Sequence, residues 1–199
     1  MRLLVATSNP GKLRELKELL EQTPLELISL AQLQNPPAVV EDGATFADNA
    51  IKKATTLARF SGCVTMADDS GLCVDALDGA PGVHSARYAG ETADDAANNA
   101  KLLRVLEPVP RLQRQAHFHC CIALAWPDGR THTFSGTVQG LIVDAPRGSQ
   151  GFGYDPLFLV PEYGKTMAEL GSRLKNRISH RARALEQALP VVRALAEEK

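Results

Sequence analysis

Val64-Thr65-Met66-Ala67-Asp68-Asp69-Ser70-Gly71-Leu72 sets two adjacent carboxylates directly after a short apolar run. The apolar run reads as a strand, so the acids are expected where a buried strand emerges into a turn. Asp, Ser and Gly favour such turns through local side-chain hydrogen bonds and relaxed φ. The same pair also suits a hard cation, because Mg²⁺ takes carboxylate oxygens and needs few of them. The stretch continues through Asp75, Gly79-Ala80-Pro81-Gly82, Ser85-Ala86-Arg87 and Tyr88-Ala89-Gly90, a glycine-punctuated loop after the acids.

Upstream, residues 3–6 are a compact apolar strand, and Leu13, Leu16, Leu19 and Leu20 then recur at helical spacing. Strand gives way to helix at Thr7-Ser8-Asn9-Pro10-Gly11-Lys12, where Asn9 suits the N-cap and Pro10 the first helical position. Free first-turn amides, two hydroxyls and Lys12 at this point describe either an ordinary helix start or a phosphate cradle. It is not a Walker A loop, since G-x-x-x-x-G-K-S/T is absent. Residues 25–30 form a second short strand, and 34–40 with Pro36-Pro37 a connector. Glu41-Asp42-Gly43 follows. Phe46, Ala50, Ala54, Leu57 and Ala58 mark a helix whose neighbouring face carries Asn49 and Lys53 one turn apart.

Downstream, 92–106 reads as a helix burying Ala96, Ala100 and Leu103, ended by Pro108 and Pro110. Phe118, Cys120, Ile122, Leu124 and Trp126 alternate, Pro127-Asp128-Gly129 makes a hairpin turn, and 131–143 returns as a strand. Short strand-helix units followed by long antiparallel strands predict an α/β fold with a mixed sheet. Residues 145–155 form a glycine-rich loop leading into Phe152-Gly153-Tyr154-Asp155-Pro156. Its aromatics either give a base a stacking shelf or pack inward around a tight turn. A last strand is expected at 157–160. Ile178, Ala182, Leu185 and Leu189 then mark a helix, and Pro190 is expected to open a final short one. Arg173, Lys175, Arg177, His180, Arg181 and Arg183 crowd the leading face, either as a solvated surface or as donors for an anion or carbonyl oxygen.

With 199 residues, 44% apolar content and a formal charge of −1, the chain reads as globular and long enough to bury a real core, as one large domain over 1–199 or two tightly joined lobes. The charge balance gives no general attraction to nucleic acid or an anionic membrane, so no direct nucleic-acid binding and no membrane association are expected. The opening residues are too short an apolar run for a signal or a span, and a cytoplasmic location is expected. Cys63, Cys73, Cys120 and Cys121 fit neither a zinc knuckle nor a secreted disulfide framework. His117, His119 and Cys121 imitate a metal site, but three in-line residues of one strand rarely converge on a tetrahedral ion, and they read as packing residues.

Together the pieces make a parts list for a Mg²⁺-nucleoside triphosphate site. It comprises a phosphate cradle at Ser8 to Lys12, cations at Lys12, Lys53 and Lys175, and carboxylates at Glu41, Asp68 and Asp69. An aromatic shelf at Phe152 and Tyr154 and base-edge donors at His180 and Arg181 complete it. Phosphoryl and nucleotidyl chemistry needs an in-line water, charge neutralisation and a positioned base, which such a set supplies without a Ser, Cys or His nucleophile.

The blocks Thr7-Ser8-Asn9-Pro10-Gly11-Lys12, Ala67-Asp68-Asp69-Ser70-Gly71-Leu72, Gly79-Ala80-Pro81-Gly82 with Ser85-Ala86-Arg87-Tyr88, Phe152-Gly153-Tyr154-Asp155-Pro156 and Ile178-Ser179-His180-Arg181 resemble the signature blocks of the inosine/xanthosine triphosphate pyrophosphatase family. They occur in family order over nearly the whole chain. The resemblance implies an elongated mixed α/β sheet with flanking helices and two lobes enclosing a central nucleotide cleft, a homodimer, and Mg²⁺-dependent hydrolysis of ITP, dITP and XTP to the monophosphate and pyrophosphate, which cleanses the nucleotide pool. By the same resemblance, Thr7, Ser8, Asn9, Pro10, Gly11 and Lys12 would hold the triphosphate, with Asn49 and Lys53 near the phosphates. Glu41 and Asp69 would bind Mg²⁺, and Asp69 would also accept the proton of the attacking water, with Asp68 as a supporting acid. Ser70, Phe152, Gly153, Tyr154, Asp155, Lys175, His180 and Arg181 would bind the nucleotide, the last two near the purine 6-oxo group. Donors aimed at C6 accept hypoxanthine and xanthine and mismatch the amino group of adenine. Guanine also carries a 6-oxo group, so its exclusion must act at the 2-position.

Overall fold

The computed structural model describes residues 1–197. Seven strands form one sheet: β1 (Arg2–Val5), β2 (Glu26–Ser29), β3 (Val64–Val74), β4 (Gln115–Ala125), β5 (Thr131–Ile142), β6 (Phe158–Val160) and β7 (Lys165–Thr166). Their order is β2-β1-β3-β4-β5-β6-β7. β1 pairs in parallel with β2 and β3, whereas β6 pairs antiparallel with β5 and β7, so the sheet is mixed as expected. Among the described residues five α-helices accompany it: α1 (Pro10–Leu20), α2 (Phe46–Ser61), α3 (Asp95–Leu106), α4 (Ser172–Ile178) and α5 (His180–Glu197). Among the described residues no helix is long and apolar enough to cross a membrane.

The chain divides into two compact units. The first comprises 1–69, 120–136 and 181–199. Its core has two clusters, which take opposite faces of β4: Cys120, Ile122 and Leu124 join Leu3, Val5, Leu16, Leu20 and α5, while Cys121, Ala123 and Ala125 join Leu4, Ala6 and α2. This alternation is the period of two that a strand buried on both faces requires. α2 is delimited locally, by a Thr45–Asp48 capping box at its start and by Gly62 at φ 67° at its end. The second unit comprises 70–119 and 137–180, built around Leu72, Val74, Leu102, Leu106, Phe118, Ile142 and Phe158. In it, the Asp94 carboxylate caps α3 by accepting from the Ala97 amide at 2.8 Å.

Three expectations are corrected. Asp68 and Asp69 do not lie in a turn after a short strand, because β3 continues through Val74. Beyond Ser70 it is kept extended by partners distant in sequence. The Leu72 amide donates to Ser85 Oγ at 2.9 Å, and Ser85 Oγ donates to the Gly82 carbonyl at 2.6 Å. Second, Pro190 does not open a separate helix but lies inside α5. Proline in a helix interior costs about 3 kcal/mol. Ala188, Val192 and Leu195 bury in the same cluster as Ala184 and Leu185, and each large apolar side chain returns about 1.5–3 kcal/mol, which favours continuation. Third, the basic residues do not share one helix. Ser179 is extended, with φ −67° and ψ 159°, so Arg173, Lys175 and Arg177 sit on α4 and Arg181 and Arg183 on α5.

Candidate active site

In the first unit, charged side chains gather around the middle of β3. Asp68 is fully buried and Asp69 is 7% exposed. Such burial is costly unless each charge is paired and hydrogen-bonded. Lys12 reaches Asp68 from the first turn of α1, with Nζ 3.1 Å from Oδ2. Arg181, in the first turn of α5, donates to the same oxygen through Nε and Nη2, both at 3.2 Å. Its Nη1 donates to Glu15, a buried acid of α1. Burial alone would raise the Asp68 carboxyl, but Lys12, Arg181 and Lys53 together hold it well below the usual carboxylate range. Asp68 therefore remains an anion across ordinary pH.

Asp69 differs from its neighbour. Its Oδ2 accepts from Asn49 Nδ2 at 2.9 Å, while Asn49 Oδ1 accepts from the Gly43 amide at 2.8 Å. Asn49 thereby ties the segment carrying Glu41 to β3. Glu41 pairs with Lys53 at 3.2 Å, one helical turn after Asn49 on α2. Burial pushes the Asp69 carboxyl above its ordinary value, against the lowering effects of Lys12, the Asn49 hydrogen bond and Lys53, and Glu41 adds to the rise. Two adjacent acids are thus set apart, one held ionised and one drawn toward its protonated form.

The helix start at α1 is built as expected, with one correction. Asn9 caps it and Pro10 opens it, but the first-turn amides are not free: Asn9 Oδ1 accepts from Gly11 at 2.8 Å and from Lys12 at 3.0 Å. The Leu13 amide donates to the Asn9 carbonyl at 3.0 Å, and Thr7 Oγ1 accepts from the Asn9 amide at 3.2 Å. A phosphate at this turn has exposed Ser8 to meet, or must displace the cap.

In the second unit, Phe152 to Asp155 form a tight turn. Asp155 is buried, and its Oδ2 accepts from the Phe152 amide at 2.9 Å and from Lys175 Nζ. The Lys175 ammonium also lies 4.7 Å from the centroid of the Phe152 ring, which remains partly exposed. Tyr154 does not join it as a shelf. It is 5% exposed within the core, and its hydroxyl donates to the Ser85 carbonyl at 2.8 Å. His180 is buried too, its ring stacked 4.8 Å from that of Phe118 with an interplanar angle of 15°. Ser70 occupies β3 and is partly buried.

Sequence reading missed Glu15, Asp95 and Asn99. Glu15 stands between the leucines of α1, and nothing local marks it as a partner of Arg181. Asp95 Oδ2 accepts from the Gly153 amide at 2.6 Å, and Asn99 Nδ2 donates to the Gly153 carbonyl at 2.9 Å. Among the described residues no three His, Cys, Asp or Glu side chains gather as a metal cluster. Glu41 and Asp69 are nevertheless the kind of donors Mg²⁺ accepts, because that ion is held by one or two carboxylates plus substrate phosphates rather than by an all-protein cage. Their mutual repulsion, which helps raise Asp69, is what a dication relieves.

Comparison with known proteins gives a consistent picture. Residues 3–191 match the model of the Ham1 family. The chain is 58% identical over 184 residues to a Geobacter sulfurreducens protein named dITP/XTP pyrophosphatase, covering 92% of each chain. It is 54% identical over 195 residues to a Desulforamulus reducens protein of the same name, covering 98% of this chain and 97% of the other. A solved HAM1 protein from Coxiella burnetii superposes with a TM-score of 0.88 at 42% identity, over 99% of both chains. The structure of a nucleoside-triphosphatase, or dITP/XTP pyrophosphatase, from Mycobacterium abscessus gives 0.78 at 45% identity, over 96% of this chain and all of the other. By the span of the family match and these identities, the chain belongs to the Ham1 family.

Proposed function

We propose that this protein is a Mg²⁺-dependent pyrophosphohydrolase of non-standard purine nucleoside triphosphates, converting dITP, XTP and ITP to the monophosphate and pyrophosphate. The observation that carries the reading is a pair of adjacent buried carboxylates on β3, Asp68 met by Lys12 and Asp69 by Asn49, with the Glu41–Lys53 ion pair in the same unit. The names of close relatives support the substrate class. The whole chain, 1–199, would act as one nucleotide pyrophosphatase domain with two lobes.

In this reading Glu41 and Asp69 hold Mg²⁺, which neutralises phosphate charge when bound. Ser8, Lys12 and Lys53 receive the triphosphate. Asp69 takes the proton from the attacking water, its carboxylate oriented by the Asn49 amide. The water oxygen bonds to the α-phosphorus as the bond to the pyrophosphate oxygen breaks, giving monophosphate and pyrophosphate. Phe152 stacks on the purine, with Lys175 and His180 as donors toward its edge. Arg181, engaged by Asp68 and Glu15, serves by keeping Asp68 ionised under Lys12. The enzyme would work as a homodimer in the cytoplasm, keeping non-standard purines out of DNA and RNA.

A panel of ATP, GTP, ITP, dITP, XTP and pyrimidine triphosphates, scored by pyrophosphate release with and without Mg²⁺, tests this. Release is expected from dITP, XTP and ITP, only with the metal, and Asp69→Asn is expected to remove nearly all of it while substrate still binds. Equal turnover of all the triphosphates, or undiminished turnover by Asp69→Asn, would overturn the reading. Tight binding with no turnover would mark a nucleotide sensor instead.

A further inference from the structure

Gly153 is the left-handed residue of the Phe152 turn, at φ 61°. Both of its backbone polar groups are held by one helix: its amide donates to Asp95 Oδ2 and its carbonyl accepts from Asn99 Nδ2. Asp95 and Asn99 are four residues apart on α3, so they share a face one turn from each other. A single peptide residue is therefore gripped on both sides by two side chains from one rigid element.

The grip matters because Gly153 itself is not packed: a Cβ placed there would meet nothing within 4 Å. A cavity of about 470 Å³ lies against this same face, lined by Asp95, Asn99, Leu103, Gln150, Phe152 and Gly153 among others. Other restraints act on the residues around Gly153: Tyr154 is buried and its hydroxyl donates to the Ser85 carbonyl. Asp155 accepts from the Phe152 amide, and Lys175 lies over the Phe152 ring. Without a hold on Gly153, its flanking peptide planes could rotate about its φ and ψ toward the cavity and turn the Phe152 ring with them. Glycine has the freedom to do so.

We propose that Asp95 and Asn99 are positioning residues for the nucleobase, clamping Gly153 from both sides so that the Phe152 ring is preset in its stacking orientation. The inference rests on the reading of Phe152 as the base-stacking residue. Neither side chain is assigned any contact with substrate; their effect passes through one backbone residue. A stacked base contributes about ten- to a hundredfold in affinity, so loosening the ring forfeits part of that factor and leaves the hydrolytic step intact.

The test uses the full-length enzyme with dITP and XTP. Asn99→Asp, which keeps the shape but has no N–H to offer the Gly153 carbonyl, is expected to raise KM about tenfold with kcat within about twofold. Asp95→Ala is expected to do the same. Asp95→Asn, which retains an acceptor oxygen for the Gly153 amide, is expected to stay within about twofold of the parent. In a Phe152→Ala background, Asn99→Asp should add less than about twofold, because the ring it orients is gone. An equal rise in both backgrounds would overturn the clamp in favour of a general structural effect. So would an unchanged KM in Asn99→Asp with its Tm preserved, provided Phe152→Ala alone raises KM. If Phe152→Ala leaves KM unchanged, the stacking reading itself falls and the clamp with it. Asn99→Ala removes the donor without adding charge and carries the same comparison should Asn99→Asp not fold.

Discussion

Arg181 shows how far a side chain's role depends on what meets it. With 1% of its surface exposed, it is among the largest fully buried side chains, and its guanidinium bonds two carboxylates, Asp68 and Glu15. Arginine suits this place because its rigid fork serves two acceptors at once and it never loses its charge. Arg181→Met would leave both carboxylates buried with a partner missing, which costs about 3–5 kcal/mol. Urea unfolding should show that loss, and a change under about 1 kcal/mol would mean that water or Lys12 replaces the guanidinium. Sequence could mark Arg181 as a donor near a helix start, but not choose between a purine oxygen and an internal acid. The same holds for Tyr154, whose neighbour Gly153 is equally compatible with an exposed shelf and with the buried hydroxyl that bonds Ser85.

At the scale of elements, β3 is the instructive case. Its polar centre, Asp68-Asp69-Ser70-Gly71, carries every local mark of a turn, yet the strand runs from Val64 to Val74. The reason lies in what approaches it. A Cβ at Gly71 would overlap Ser85 Oγ and fall 2.5 Å from the Gly82 carbonyl, so glycine is required here for close approach rather than for a turn. Gly71→Ala should therefore weaken the protein by about 1–3 kcal/mol, as overpacking of a tight site does. Thermal unfolding would read it, and an unchanged Tm would show that the Gly82–Arg87 segment yields easily. By contrast, the start of α1 was legible to the residue, because Asn9 and Pro10 act within one turn of the helix they begin, and α2 was legible from its buried stripe, although its Thr45–Asp48 box went unread. α5 was not, because whether a helix passes through Pro190 depends on what Val192 and Leu195 pack against.

At the scale of the molecule, three sets of buried side chains make the core, two in the first compact unit and one in the second. Leu16 in the first and Leu102 in the second are almost wholly inaccessible. Leu16→Ala and Leu102→Ala should each cost about 2–5 kcal/mol in chemical denaturation, and a much smaller loss in one would identify the core that collapses around the void. Local signals in the chain sufficed for the mixed α/β class, the Asn9 cap, the periods of α1, α2 and the long strands and the candidate side chains, but not for the face of α3, which buries Asn98, Leu102 and Leu106 where Ala96, Ala100 and Leu103 were expected. Only the tertiary structure decided that β3 stays extended through its acids, that Asp68 is held ionised while Asp69 is drawn the other way, and that Asp95 and Asn99 grip Gly153. Those outcomes join residues far apart in the chain: Arg181 meets Asp68 across 113 positions and Glu15 across 166. Burial and charge pairing over such separations follow from the order of strands in the sheet, which no local propensity encodes.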